Sequence, residues 1–494
     1  MHSNSDTTLL SVEEMARADR LAVEAGVASL DLMEAAGHAV FEAIRGHWPP
    51  GRAALLCGPG NNGGDGFVVA RLLAEAGWRV HLGLLSPVDA LKCDAAANAG
   101  RWSGDIETLG PDLIADCDIV VDAMFGAGLA RPLEDAALET VLAINESDIP
   151  CVAVDMPSGV DGDSGDILGD APRARITVTF FRKKPGHLQY PGRHYCGEVV
   201  VAGIGIPDQV LGAVKPNTWE NSPDLWAANL PRPRHGDHKY TRGHLLIVGG
   251  DEMTGAARLA ARGARRVGAG MVTIAAPEAA LPIYLAGDPG QIVVGLPPAA
   301  RLDALLGQRR RSAALIGPGN GVGQTTRQHA IDALRTSLPA VIDADGLTSF
   351  EDAPADLFGW IQGPCVLTPH DGEFARLFPD LTGSRLQRCR AAAKLSGAVV
   401  LLKGADTVIA APDGRALINS NAPASLATAG SGDVLAGMAA ALLAGGVPAL
   451  AAAAAAVWLH GEAAQRFGAT AGLIAEDLPE QLPALLEELA HMPK

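Results

Sequence analysis

The hydrophobic pattern switches period again and again along the chain. Short continuous apolar runs alternate with stretches in which apolar residues recur every three or four positions. The runs Ala53–Cys57, Arg79–Leu85, Ile119–Asp122, Cys151–Asp155, Ile176–Phe180 and Val199–Val201 predict strands. Helical patterns lie between or before them, at Leu30–Ile44 and Phe67–Ala76, and Ser11-Val12-Glu13-Glu14 predicts a capping box. Alternation of this kind predicts a mostly parallel sheet covered on both faces. The pattern lapses over residues 207–234, where Asn221-Ser222-Pro223 and Pro231-Arg232-Pro233-Arg234 have linker composition. It resumes with strand candidates His244–Val248, Val272–Ala275, Ala314–Ile316, Val341–Asp343, Cys365–Leu367 and Val399–Leu402. Thr407–Ala411 and Arg415–Asn419 flank Pro412-Asp413-Gly414 as a hairpin. Two α/β domains are expected, 1–220 and 230–494. Val434–Leu459 is free of charge, but Gly445-Gly446-Val447-Pro448 divides it, which predicts two helices and a turn rather than a membrane span.

Composition narrows the function. The 494 residues are 48% apolar and only 4% aromatic, which suits close-packed α/β layers. A net charge of −17 argues against nucleic acid or an anionic membrane as partner. The seven cysteines are scattered and lack zinc-site spacing, as expected of reduced thiols in a cytoplasmic protein. The N-terminus lacks the basic-then-apolar form of a signal peptide. No interface signal decides oligomeric state, so a homo-oligomer stays open.

Polar residues gather where strands end. Ala53–Cys57 runs into Gly58-Pro59-Gly60-Asn61-Asn62-Gly63-Gly64-Asp65-Gly66, and a helix is expected after it. Gly58, Gly60 and Gly63 match a dinucleotide-binding fingerprint, but the next strand ends Leu84-Leu85-Ser86 without the acid that would hold a ribose. Asp122 precedes Ala123-Met124-Phe125-Gly126-Ala127-Gly128-Leu129, and Asp155 precedes Met156-Pro157-Ser158-Gly159. Ligands of open parallel sheets bind beyond the carboxyl ends of strands, so one converging pocket is expected. Its oxygen-rich residues suit a hard or monovalent cation. Each segment alone also reads as a turn of Asx and Gly residues.

Asn61–Gly66, Asp122–Leu129 and Val154–Gly159 together resemble the NAD(P)H-hydrate epimerase family, over roughly residues 8–215. That resemblance implies a Rossmann-like three-layer sandwich. It places Asn61, Asn62, Gly63, Gly64 and Asp65, with Gly126, Ala127, Gly128, Leu129, Ala130, Arg131 and Pro132, around the nucleotide substrate. It assigns a K+ ion to Asn62, Asp122 and Ser158. Asp155 would contact the substrate and serve as acid/base.

In the second half, Gly430-Ser431-Gly432-Asp433 opens the apolar run Val434–Met438. Free N–H groups and the dipole at a helix start suit phosphate, and glycines let the anion approach. A carboxylate there is either an N-cap or the base for a hydroxyl that attacks phosphorus. The chain has no Gly-Lys dipeptide, which excludes a Walker loop, and it lacks the protein-kinase motifs. Lys403 follows an apolar strand and can neutralise a nucleotide phosphate. Glu373 can orient Mg2+ through water.

Thr368-Pro369-His370-Asp371-Gly372-Glu373, Lys403-Gly404-Ala405-Asp406-Thr407 and Ala427–Gly437 resemble the ribokinase-like ADP-dependent NAD(P)H-hydrate dehydratases, over roughly 230–490. That resemblance implies a ribokinase-like α/β domain using ADP and Mg2+. Ala256, Gly319, His370 and Asp433 would contact the hydrate (NADHX or NADPHX). Lys403, Gly404, Ala405, Asp406, Thr407 and Gly432 would bind the nucleotide, with Asp433 as base. Asn320 departs from the aliphatic residue expected after Gly319. The two resemblances imply a fused repair enzyme. The competing readings are a small-molecule kinase with a ligand-sensing domain, which would not need Asn61–Gly66 or Asp155–Ser158, and an N-terminal scaffold without catalysis.

Overall fold

A computed structural model describes residues 7–232, 234–297, 302–307, 311–469 and 471–491. The chain divides into two units, one ending at Thr218 and the other beginning at Trp219. In the first, a parallel sheet runs in the order Glu107–Thr108, Arg79–Leu84, Arg52–Cys57, Ile119–Ala123, Cys151–Val154, Ala174–Phe180, Glu198–Ala202. Its central strands are apolar throughout because both faces are covered. Along Arg52–Cys57, alternate side chains serve different cores: Ala53, Leu55 and Cys57 pack on one face, Ala54 and Leu56 on the other. After Cys57 the chain moves outward through two strands and returns on the other side at Ile119, leaving Cys57 and Ala123 paired at the reversal. That is where an open α/β sheet forms a binding crevice.

The second unit carries strands in the order Ala416–Ile418, Val408–Ala410, Val399–Leu402, Cys365–Leu367, Ala340–Ile342, Ala313–Ile316, His244–Val248, Met271–Ala276, Ile292–Gly295. The pairings are parallel except in the expected hairpin, where Val408–Ala410 is antiparallel to both neighbours. The order reverses between His244–Val248 and Ala313–Ile316. The uncharged stretch forms two helices, Ser431–Ala444 and Ala449–Phe467. No helix among the described residues is long and apolar enough to cross a membrane. Helix Ser431–Ala444 crosses Thr254–Arg266 very closely: a Cβ on Gly437 would lie 2.0 Å from the Ala260 carbonyl oxygen. Buried Ala and Gly on both helices allow this approach, which fixes where Asp433 sits.

Two expectations need correction. The helix expected from Phe67 begins at Asn61, with Gly60 as its N-cap, so most of the supposed glycine loop is a helical first turn. Those glycines answer to packing instead. A Cβ on Gly63 would lie 1.9 Å from the Gly58 oxygen, and one on Gly66 would lie 2.7 Å from both Cys57 Sγ and Ala123 Cβ. The short strands Glu107–Thr108 and Ile292–Gly295 are absent from the expected set: both sit at sheet edges and are largely exposed, the first has no apolar run, and the second has only Ile292-Val293-Val294.

Candidate active sites

The first site is a cavity of about 1110 Å3 over the sheet reversal. Asn61, Asn62, Asp65, Gly126, Ala127, Gly128, Leu129, Ala130, Arg131 and Asp155 line it, so residues far apart in sequence converge as expected. Gly63 and Gly64 instead pack against Gly58 and Met33, and Pro132 is exposed outside the lining. A Cβ on Gly126 would come within 3.0 Å of both the Asn62 side-chain amide and Asp155 Oδ2, so glycine there keeps the wall thin.

Asp155 sits just past the strand Cys151–Val154 in the left-handed region, φ +65°. That conformation is unfavourable for a non-glycine residue and is held by its surroundings. Lys184 Nζ donates to Asp155 Oδ1 at 2.5 Å and to Thr179 Oγ1 at 2.9 Å. Thr179 Oγ1 donates to Oδ1 at 3.0 Å and the Ala127 amide to Oδ2 at 3.0 Å. Burial pushes the Asp155 carboxyl up, but the Lys184 ammonium and these donors outweigh it and hold it at about 2. His187, lowered to about 4 by burial and then by Lys184, is neutral. Its Nδ1 accepts from the Lys184 amide at 3.0 Å, so Nε2 carries the proton and donates to the Asp155 carbonyl at 2.9 Å.

Asp122 and Ser158 are fully buried behind this wall. Ser158 donates to Asp122 from its amide at 2.7 Å and from Oγ at 2.6 Å. Burial raises the Asp122 carboxyl to about 6, with the Ser158 bonds opposing. Asn62, with its amide oriented to satisfy both groups, donates to the Val154 carbonyl at 3.1 Å and accepts from the Gly126 amide at 3.3 Å. Lys184, Thr179 and His187 were not singled out from the sequence. The signal was available: Lys183-Lys184-Pro185-Gly186-His187 follows the strand Ala174–Phe180, at the same sheet end as Asp122 and Asp155.

The second site lies at the carboxyl ends of the other sheet. Gly430, at φ +86°, is the N-cap of Ser431–Ala444, and Asp433 is the third helical residue. Asp433 is therefore not the N-cap but an acidic residue of the first helical turn. Burial raises its carboxyl to about 6; Asp343 raises it further and Lys403 opposes. Lys403 Nζ donates to Asp343 Oδ1 at 2.8 Å and lies 3.8 Å from Glu373 Oε2. A Cβ on Gly432 would be 3.7 Å from that ammonium, which places Lys403 beside the helix N-terminus. His370 and Lys403 are bridged through their backbones. The His370 ring caps its helix, Nδ1 accepting from the Gly372 and Glu373 amides at 3.0 and 3.2 Å. Gly404 and Ala405 are exposed, whereas Asp406 and Thr407 are buried, the latter closing the loop onto the Gly404 carbonyl at 2.8 Å.

Gly319, at φ +67°, lies against Ala256: a Cβ on it would be 3.1 Å from the Ala256 methyl. The unexpected Asn320 has a structural task. Its Nδ2 donates to the Val248 carbonyl at 2.7 Å and its Oδ1 accepts from the Gly317 amide at 2.8 Å, tying the two strand ends together at the sheet reversal.

The family model described as NAD(P)H-hydrate dehydratase matches residues 244–485, and the YjeF-related protein N-terminus model matches residues 29–186. The bifunctional NAD(P)H-hydrate repair enzyme Nnr of Salinibacter ruber is 38% identical, covering 97% of this chain and 96% of that protein. This chain belongs to the bifunctional NAD(P)H-hydrate repair enzymes. The repair enzyme of Moorella thermoacetica is 38% identical over 97% of each chain. A solved structure of the ADP/ATP-dependent NAD(P)H-hydrate dehydratase from Bacillus subtilis, co-crystallised with ATP and Mg2+, is also similar. It is 30% identical over 55% of this chain and 98% of that one, with a TM-score of 0.47. The two family models fall on either side of Trp219, and each candidate site lies in the unit that a different model matches.

Proposed function

We propose that residues 1–220 interconvert the R and S hydrates of NADH and NADPH, and that residues 230–494 dehydrate the S form with ADP, releasing AMP and phosphate. The observation that carries this reading is Asp433 on a glycine-fronted helix N-terminus with Lys403 beside it. A phosphate cradle and a base then share one turn. Asp433 takes the proton from the C6 hydroxyl, whose oxygen attacks the terminal phosphorus of ADP. The amides of the Gly430–Gly432 turn and the Lys403 ammonium offset the charge that develops on the phosphoryl oxygens. Phosphate then leaves as the ring nitrogen lone pair expels it. Ala256, Gly319 and His370 form the hydrate side, and Lys403–Thr407 with Gly432 the nucleotide side. Asp343 and Glu373 are the carboxylates placed to hold Mg2+, directly or through water; bound there, it would neutralise phosphoryl charge.

In the first site the cavity residues hold the hydrate, and Asp155, kept ionised by Lys184, is the base for water returning to C6. The oxygens of Asn62, Asp122 and Ser158 suit K+. Asp122 is a buried carboxylate whose hydrogen bonds come from Ser158 and a backbone amide, so an alkali cation would balance its charge. The seven free cysteines suit a reducing cytoplasm.

The test offers the purified chain a mixture of hydrate epimers with ADP or ATP and follows dihydronicotinamide absorbance. Complete recovery of both epimers with ADP is expected. No recovery with either nucleotide would overturn the reading in favour of a small-molecule kinase. With Asp155→Ala, recovery should stop once the S epimer is consumed; unchanged recovery would remove Asp155 from the epimerase chemistry.

A further inference from the structure

One carboxyl that lines the first cavity has no part in the proton transfers above. Asp65 is 8% exposed and lines the cavity. Its carboxyl takes no hydrogen bond from any described residue. A buried carboxyl without a partner is costly unless it holds a proton or meets a ligand. The groups facing it explain why nothing relieves it. Asp155 beyond the strand Cys151–Val154 and Asp19 on the helix Val12–Glu24 are both acidic, and the Cys57 thiol is buried beside it. Lys184 is committed to Asp155 and Thr179. Asp94, Arg20 and Arg131 share the cavity lining. Burial first, then Asp155 and Asp19, raise the Asp65 carboxyl well above the ordinary carboxylate range. Two carboxyls of one cavity are thus driven in opposite directions, the arrangement that separates an acid from a base.

We propose that Asp65 is a second catalytic residue of the epimerase site, the acid that protonates the departing C6 hydroxyl while Asp155 serves the returning water. The proposal rests on the epimerase reading above. The proton passes from the Asp65 carboxyl to the C6 oxygen. The C6–O bond breaks with its electron pair on oxygen, which leaves as water, and the ring nitrogen lone pair forms the C=N bond of an iminium cation. Water then adds to the other face of C6, the C=N pair returns to nitrogen, and the added water gives its proton to Asp155. Exchange through cavity water returns that proton to Asp65. Charge stays matched throughout: while the iminium exists, Asp155 and Lys184 cancel and the Asp65 carboxylate matches the cation, and once Asp155 holds the proton, Asp65 and Lys184 balance. Neither partner of the ion pair need change for the cation to be neutralised.

The test compares R-to-S conversion across pH for the full chain and for D65N, with ADP-dependent dehydration of the S hydrate as the control for folding. Wild type should lose conversion at alkaline pH as Asp65 ionises. D65N should convert at least about 100-fold more slowly and lack that alkaline limb, with dehydration unchanged. A D65N chain that keeps its rate and its limb overturns the inference alone. A wild-type chain that never converts the R hydrate overturns the epimerase reading and the inference with it. Infrared spectroscopy needs no variant. Wild type labelled at its aspartates should keep a neutral-carboxyl band above about pH 7, where Asp19, Asp122 and Asp433 have ionised. Absence of that band overturns the assignment of Asp65 as an acid.

Discussion

Each unit buries a lysine against an aspartate at the carboxyl end of its sheet: Lys184 on Asp155 at 2.5 Å and Lys403 on Asp343 at 2.8 Å. The distances are alike and the consequences opposite. Lys184 binds the carboxylate that faces the cavity and holds it at about 2. Lys403 is taken up by Asp343 and Glu373, and Asp433 is left at about 6. For the proposed chemistry, the second arrangement leaves a carboxylate whose proton affinity suits a hydroxyl near neutrality, and the first keeps a carboxylate ionised beside a cationic intermediate until water adds. One type of ion pair therefore sets two site carboxyls apart, depending on which carboxylate the ammonium touches.

Asp433→Asn should break the comparison most severely. Dehydration should fall by about 10²-fold to 10⁴-fold while nucleotide binding and epimerisation persist. Retained turnover would remove Asp433 as the base. Lys184→Met should act on the other side, and on stability as well. It leaves a buried carboxylate without its cation, at a cost of about 3–5 kcal/mol, read from the denaturant midpoint of the N-terminal transition. An unmoved midpoint would mean that Asp155 is satisfied without Lys184.

The pH dependence sharpens the contrast. Asp155 lies below its unfolded value of 3.8, so it stabilises the fold above about pH 4 and loses that contribution as pH falls toward 2. Asp433 lies above the same value, so the native state binds the extra proton and stability from this group declines as pH rises from about 4 to 6. Dehydration kcat/KM should fall about tenfold per pH unit below about 6, whereas Asp155 gives epimerisation no limb there. Because Lys403 opposes the rise in Asp433, Lys403→Met should move the dehydration limb to higher pH. A limb that stays in place would separate the two residues. The smallest effect is expected from Asn320→Leu. It restores the aliphatic residue but loses two hydrogen bonds, and should lower stability by about 1–2 kcal/mol without abolishing dehydration. A variant as stable as wild type would show that Asn320 does not tie the strand ends.

Much of the fold was legible because buried parallel strands leave continuous apolar runs. The hairpin around Pro412-Asp413-Gly414 and the divided helical stretch were legible for equally local reasons: turn residues and glycine-proline breaks. The start of the helix at Asn61 was hidden, since three of its first six residues are glycine, which disfavours helix by propensity. Only the close passage of Gly58, Cys57 and Ala123 explains their presence. Lys184 is hidden in the sequence for a related reason. A Lys-Lys pair after a strand looks solvated, and nothing local says that its second member is 2% exposed.

By itself, the sequence determined the alternation of elements, the two-part chain, and the small set of polar turns at strand ends where chemistry collects. Those follow from periodicity and turn chemistry, which act over a few residues. The tertiary structure decided the protonation of each carboxyl. Lys184 and Asp155 are 29 positions apart, and Lys403 and Asp343 are 60 apart. Coulomb energy and desolvation depend on distance through space and on burial, and folding alone sets both.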